Sequence, residues 1–250
     1  DVLLDMISFD FSGDIIPFLE DGLLDIDQMV IRVLDNIYKE DHCQAVLENH
    51  LKFCQRHKIK DVVAFTLNEI VDPQSALRHL SLDIICDLSD DLGQLFETLP
   101  LIEDDFKWNV VEELVESKYS KIEEYLSQVF STGESEEKFR SAMFLIRLKK
   151  MEAICFYVAY LKKQKIFIKD LYNSSPFGFI YEIKAVPLLL DLYEACLKKE
   201  IENEDKKGFD TLESLIKNSL KTIALNEDGN FLIVINAVES FIDKHINDYD

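Results

Sequence analysis

The sequence predicts an all-α chain, a degenerate HEAT- or armadillo-like helical-repeat solenoid of about a dozen helices. Three observations carry this. Apolar residues recur at i, i+3, i+4 spacing along most of the chain, and no convincing strand alternation interrupts them. The 250 residues hold only 7 Gly and 5 Pro, few for a protein rich in sheets and turns. A helix pair is also written at least twice, once from Ser75 to Leu99 and once from Ser141 to Leu161. Ala76, Leu80 and Leu82 align with Ala142, Ile146 and Leu148 at an offset of 66, and Leu92, Leu95 and Leu99 with Ile154, Tyr157 and Leu161 at an offset of 62. A pair that cannot bury its own apolar face must stack on a neighbour, which is the logic of a solenoid.

Residues 1–24 are the least regular, with Gly13, Pro17 and Gly22 breaking short apolar groups. Met29, Val30, Val33, Leu34 and Ile37 then begin a helical period, capped by Asp25 or Asp27. Further helices cover about Cys43 to His57 and Val62 to Val71. Asp72-Pro73 reads as an N-cap with Pro at the first helical position, opening the first copy of the pair. Ser89 or Asp90 divides that copy, Pro100 closes it, and Asp104 to Glu116 forms another helix. Ser120 and Glu123 fit a capping box, in which each side chain satisfies a free backbone N–H.

The polar loop Ser131 to Glu137 comes next, ending with Ser135 as N-cap, and the second copy follows. A third helix of the same type, Ala185 to Lys198, places Ala185, Val186, Leu189 and Tyr193 over Ala153, Ile154, Tyr157 and Leu161 at an offset of 32. Glu200 to Gly208 reads as an exposed loop, and a capping box at Asp210 starts a helix over Leu212 to Leu225. The last helix runs from Phe231 to about Ile246. The whole is expected to be one helical-repeat domain, with the 131–137 loop as the place for a sub-boundary. The first residue is Asp rather than Met, so the chain is expected to be a piece of something longer.

The net charge of −21 is uneven. Residues 1–125 carry 28 acids against 10 Lys and Arg; residues 126–250 carry 20 against 17. So acidic a chain does not attract nucleic acid through its bulk field. Its apolar runs fall far short of the roughly 20 residues a membrane span needs. Five cysteines, Cys43, Cys54, Cys86, Cys155 and Cys196, sit in helical patterns without a CxxC, which suits free thiols in a reducing cytoplasm or nucleus.

No P-loop, GxGxxG, GxSxG or HExxH occurs, and the expectation is a non-enzyme without cofactor or metal. Cys43, His50, Cys54 and His57 share one helical face and are zinc-type ligands, which raises the alternative of a metal-dependent helical enzyme domain. Fourteen residues of helix span about 21 Å, too far for one tetrahedral ion. Asp87, Ser89 and Asp91 have calcium-loop spacing, but Leu92 stands where that loop requires Gly, so capping acids explain them.

The second copy is a basic island. Lys138 to Lys169 holds nine bases and one acid, Glu152. Two readings compete: bases complementing helix C-termini, or a docking surface for an acidic partner, including the acidic half of the same chain. The candidate partner-binding residues are Arg147, Lys149, Lys150, Lys162, Lys163 and Lys165. Aromatics crowd the same stretch, and any exposed in Ser174 to Phe179 (SSPFGF) would anchor an interface.

The text FRSAMFLIRLKKMEAICFYVAYLKK, AVPLLLDLYEACLKKE and TLESLIKNSLKTIALNEDGNFLIVINAVESFIDK, spread over Lys138 to Ile246, resembles the HEAT-like helical region that follows the ATPase module in some NACHT-type STAND proteins, relatives of the NOD-like receptors. The resemblance implies a sensor or autoinhibitory arm that recognises a protein partner or another domain of its parent chain. It carries over no nucleotide-binding residue, because this chain has none of the NACHT motifs. A HEAT-like structural scaffold subunit is the alternative within the binding class.

Overall fold

A computed structural model describes residues 26–38, 44–163, 176–202, 206–227 and 229–246. The irregular segment 1–24, Cys43, Lys165 and Lys169 lie outside the described residues. Those described are all-helical: twelve α-helices with turns and 3-10 segments, and no strand among them.

The chain divides into two compact units between Tyr119 and Ser120, ahead of the 131–137 loop where a boundary was expected. That loop shrinks to Gly133 and Glu134, because helix continues to Thr132 and resumes at Ser135.

The first unit contains α1 (Ile26–Ile37), α2 (Gln44–Arg56), α3 (Val63–Val71), α4 (Arg78–Leu88), α5 (Gly93–Thr98) and α6 (Lys107–Glu116). Its core joins Val33 and Ile37 of α1, Leu51, Phe53 and Cys54 of α2, and Ile84 and Leu88 of α4. α4 packs chiefly on α3 and α2, while α5 lies against α3. Asp72-Pro73 does not start α4. Gln74 N–H donates to Asp72 Oδ1 (2.9 Å) and Leu77 N–H to Ser75 Oγ (3.0 Å), so two side-chain-closed turns precede the helix at Arg78.

The second unit contains α7 (Ile122–Thr132), α8 (Ser135–Arg147), α9 (Met151–Lys163), α10 (Val186–Glu202), α11 (Lys206–Asn226) and α12 (Asn230–Ile246). Each helix packs on its successor, and α10 also meets α12. The Ser120 capping box does not form: the residue before α7 is Lys121, and no side chain caps that end. The polar stretch after Glu200 is mostly helix, since α10 continues to Glu202 and α11 starts at Lys206 rather than Leu212. Lys and Glu are good helix formers, and such residues extend a helix past its packed part.

Helices α3, α5, α7 and α9 begin at Val63, Gly93, Ile122 and Met151, 30, 29 and 29 residues apart. Two such intervals make 58 or 59 residues, fewer than the sequence offset of 62–66, and α9 and α10 begin 35 residues apart, more than the offset of 32. At the shorter offset burial is matched in three of the four pairs: Ala153, Ile154 and Tyr157 and their counterparts Ala185, Val186 and Leu189 are all buried, whereas Leu161 is buried and Tyr193 half-buried.

Three helix ends are closed by the same device. Ile59 N–H donates to the Cys54 carbonyl (2.9 Å) and Lys58 N–H to that of Gln55 (3.2 Å), with Lys58 left-handed at φ 55°. Tyr119 and Lys118 (φ 55°) repeat this on Leu114 and Val115, and Lys150 and Lys149 (φ 62°) repeat it on Leu145 and Ile146. These are Schellman ends, in which two otherwise free carbonyls are satisfied by a left-handed residue. Lysine stands where glycine is usual, at a conformational cost of about 1–2 kcal/mol.

Candidate protein-interaction surface

The basic island is split by the fold into paired and exposed parts. α8 ends at Arg147, and only Leu148–Lys150 separate it from α9. Reversing direction in so few residues requires the left-handed turn at Lys149, which leaves that side chain exposed. The Arg147 guanidinium lies 5.3 Å from the Phe144 ring centroid and 5.1 Å from that of Phe179. Lys149 Nζ lies 5.8 Å from the Tyr181 ring.

Both outer aromatics come from the 176–181 segment. Its 3-10 turn, Pro176–Phe179, rests on α8 and α11. Phe177 is the anchor: it is buried, meets Tyr157 edge-on at 5.8 Å, and its carbonyl accepts the Ser219 hydroxyl at 2.7 Å. Phe179 stays 39 % exposed. Of the aromatics in SSPFGF, one thus belongs to the core and one to the surface. Cation–ring contacts of this kind are worth about 0.5–1 kcal/mol at exposed sites, and they hold Arg147 and Lys149 in place more than free lysines would be held.

The other predicted residues divide. Lys150 Nζ pairs with Glu123 of α7 at 2.5 Å, and Lys162 Nζ with Asp191 of α10 at 2.5 Å. These two bases are already matched inside the unit. Lys163 is exposed and forms no ion pair among the described residues. Lys165 lies outside the described residues. The sequence marked the aromatics of this stretch as interface anchors if exposed, but not the pairing of Phe179 with Arg147 or of Tyr181 with Lys149. Their separation of about thirty residues leaves no periodic signal.

The His50/Cys54/His57 face is core. His50 and Cys54 are buried, and half-buried His57 packs its ring 4.5 Å from Phe53. Burial, with the Asp61 charge nearby, pushes the Cys54 thiol up to about 12. Cys86 is likewise pushed up to about 12 by burial and by Glu113. Both thiols are therefore neutral at pH 7. Among the described residues no group of three or more His, Cys, Asp or Glu could hold a metal ion. Of the capping acids, Asp87 pairs with Lys58 at 2.7 Å, and Asp91 Oδ1 accepts the Gly93 N–H at 3.0 Å.

Among the described residues no helix is long and apolar enough to cross a membrane. Comparison with protein-family models, curated proteins and solved structures finds no match.

Proposed function

We propose that the chain is a non-catalytic protein-interaction module of α-solenoid type, serving as the sensor or regulatory helical arm of a larger STAND-type switch protein. Contacts between near neighbours in helix order, and the starts of α3, α5, α7 and α9 at intervals of 29–30 residues, support the solenoid reading. The observation that carries the binding reading is the ordered cation–aromatic surface of Arg147, Lys149, Phe179 and Tyr181. Aromatics and arginines held in place are what interface anchors are made of. The partner is an acidic protein segment with an apolar anchor, presented by another protein or by another domain of the parent chain.

The paired lysines are poor test sites, because reversing Lys150 or Lys162 also breaks a contact inside the unit. The informative variant is Lys149→Glu with Lys163→Glu. Titrated with a Glu-rich peptide carrying one Trp or Phe, it should bind about tenfold more weakly than the wild type, with stability lowered by no more than the lost Lys149–Tyr181 contact, about 0.5–1 kcal/mol. Equal affinity overturns this surface. In the parent protein, removal of residues 120–250 should alter assembly or regulation; unchanged behaviour overturns the regulatory reading and leaves the scaffold alternative.

A further inference from the structure

The last helix has two apolar faces, and the unit covers one of them. Val234 is buried, Phe241 stands 5.8 Å from the Tyr193 ring, and Lys244 reaches Glu194 at 3.2 Å. The second face is bare: Phe231 is 54 % exposed, Ile235 38 % and Ile242 46 %. With half-buried Val238 these residues recur at spacings of 4, 3 and 4, one continuous stripe along α12. Leu232, 64 % exposed, widens it at the N-terminal end. A patch of this kind exceeds the scattered single apolar residues of an ordinary surface.

The stripe has one open edge, since its other edge runs into the packed face. On the open edge lie Glu239 and Asp243, both exposed. The one lysine of the helix, Lys244, is turned the other way and held by Glu194. We infer that this face docks an amphipathic helix of a partner protein, with an apolar stripe of about three turns and lysines or arginines along one edge. The edge charge selects the partner. A second copy paired in parallel would bring the same acids together, and in either direction it carries −21 of its own. An anionic lipid surface is repelled by the same edge.

The test uses the whole chain and three labelled peptides of about 18 residues, long enough to span the stripe. One carries Leu at heptad a and d positions with Lys at the edges, one has Glu at the edges, and one is the Lys peptide scrambled to destroy its stripe. By fluorescence anisotropy the striped Lys peptide should bind at least about tenfold more tightly than either other. Ile235→Glu should remove that preference without moving the thermal melt. Glu239→Lys with Asp243→Lys, which leaves the stripe intact, should turn the preference towards the Glu peptide. Lys149→Glu with Lys163→Glu should change none of this, which separates the α12 face from the surface proposed above. Equal binding of striped and scrambled Lys peptides, or an unchanged preference in Ile235→Glu, overturns the inference. So does a dimer in sedimentation equilibrium that Ile235→Glu dissolves, or binding to phosphatidylcholine vesicles that the same substitution abolishes.

Discussion

In α8 and α9 the two helices lie against each other and bury Ala142, Ile146, Ile154, Tyr157 and Leu161. In and beside α4 and α5 the matching residues behave differently: Ala76 is exposed, Leu80 and Leu92 are half-buried, Leu82 is buried where its counterpart Leu148 is half-buried, and only Leu95 and Leu99 are buried as their counterparts are. α4 packs on α3 and α2 instead of on its sequence partner. Length is part of the reason. α9 runs for thirteen residues, whereas α5 has six before the chain tightens into a 3-10 turn around Pro100. A helix of six residues offers too little surface to cover a neighbour. Similar apolar spacing therefore specifies that each helix has a buried face, but not which helix buries it.

The two halves differ in charge balance: residues 1–125 carry 28 acids against 10 Lys and Arg, residues 126–250 carry 20 against 17. In the first unit Lys58 pairs with Asp87, Lys60 with Asp90, and Arg78 with Asp104. In the second, Lys150 and Lys162 are taken up by Glu123 and Asp191. Of the basic island's described residues, Lys149 and Lys163 are the exposed ones.

The comparison can be broken first at the cores. Tyr157 is fully buried between Phe139 and Phe177. Tyr157→Ala should destabilise the second unit by about 3–5 kcal/mol, and Leu95→Ala the first by about 2–5 kcal/mol. Trp108, the chain's one tryptophan, lies in the first unit, so its fluorescence in urea follows Leu95→Ala while far-UV circular dichroism follows both. Tyr157→Phe should be neutral or stabilising, because the buried hydroxyl has no hydrogen-bond partner among the described residues.

Arg78 is the next largest effect. It is buried, donates Nε to the Ile70 carbonyl at 2.9 Å, pairs with Asp104, and lies 4.2 Å from the Phe106 ring. Arg78→Met should cost the first unit about 1.5–3 kcal/mol. Arg78→Lys should not restore it, since an ammonium has neither the planar stack nor the forked donors.

A stabilising change comes third. Lys118 sits at φ 55° with its side chain exposed. Lys118→Gly should raise stability by about 0.5–1 kcal/mol, the left-handed strain relieved less the entropy glycine adds to the unfolded chain. A thermal melt that falls instead would show that the lysine side chain itself holds the helix end.

The smallest effects are pH-dependent and opposite in the two units. Hydrogen bonds from Lys198 and Lys244 hold Glu194 at about 2 instead of the ordinary 4.5. A depressed carboxyl stabilises fully above its unfolded value and loses that contribution as pH falls through the folded one. Glu194→Gln should therefore flatten the acid limb of the second unit between pH 4.5 and 2. Glu113 of α6 is raised, by burial first and then by Glu116. Its ionisation opposes folding, so Glu113→Gln should raise the melting temperature of the first unit at pH 7 and leave it unchanged at pH 3.

The all-helical character was legible in the sequence because helical period and scarce Gly and Pro are local properties. So were the buried pairs at the offset of 32, where Ala153, Ile154 and Tyr157 and their counterparts follow one pattern. Helix boundaries were less legible. Asp72 and Ser75 have capping chemistry and spend it on turns, and the charged stretch near 200–208 is polar yet helical on both sides of 203–205. The candidate surface was half legible: the basic run is contiguous, but Glu123 and Asp191, which neutralise two of its lysines, are 27 and 29 residues away from them.

That the chain is helical, acidic towards its start and basic in the middle follows from composition and periodicity, which do not depend on neighbours. Which helices pair, which lysines are already matched and which face of α12 stays exposed came from the packing. Each of those depends on residues far apart in the chain, and a charge or an apolar side chain does not reveal, from its own position, what will cover it.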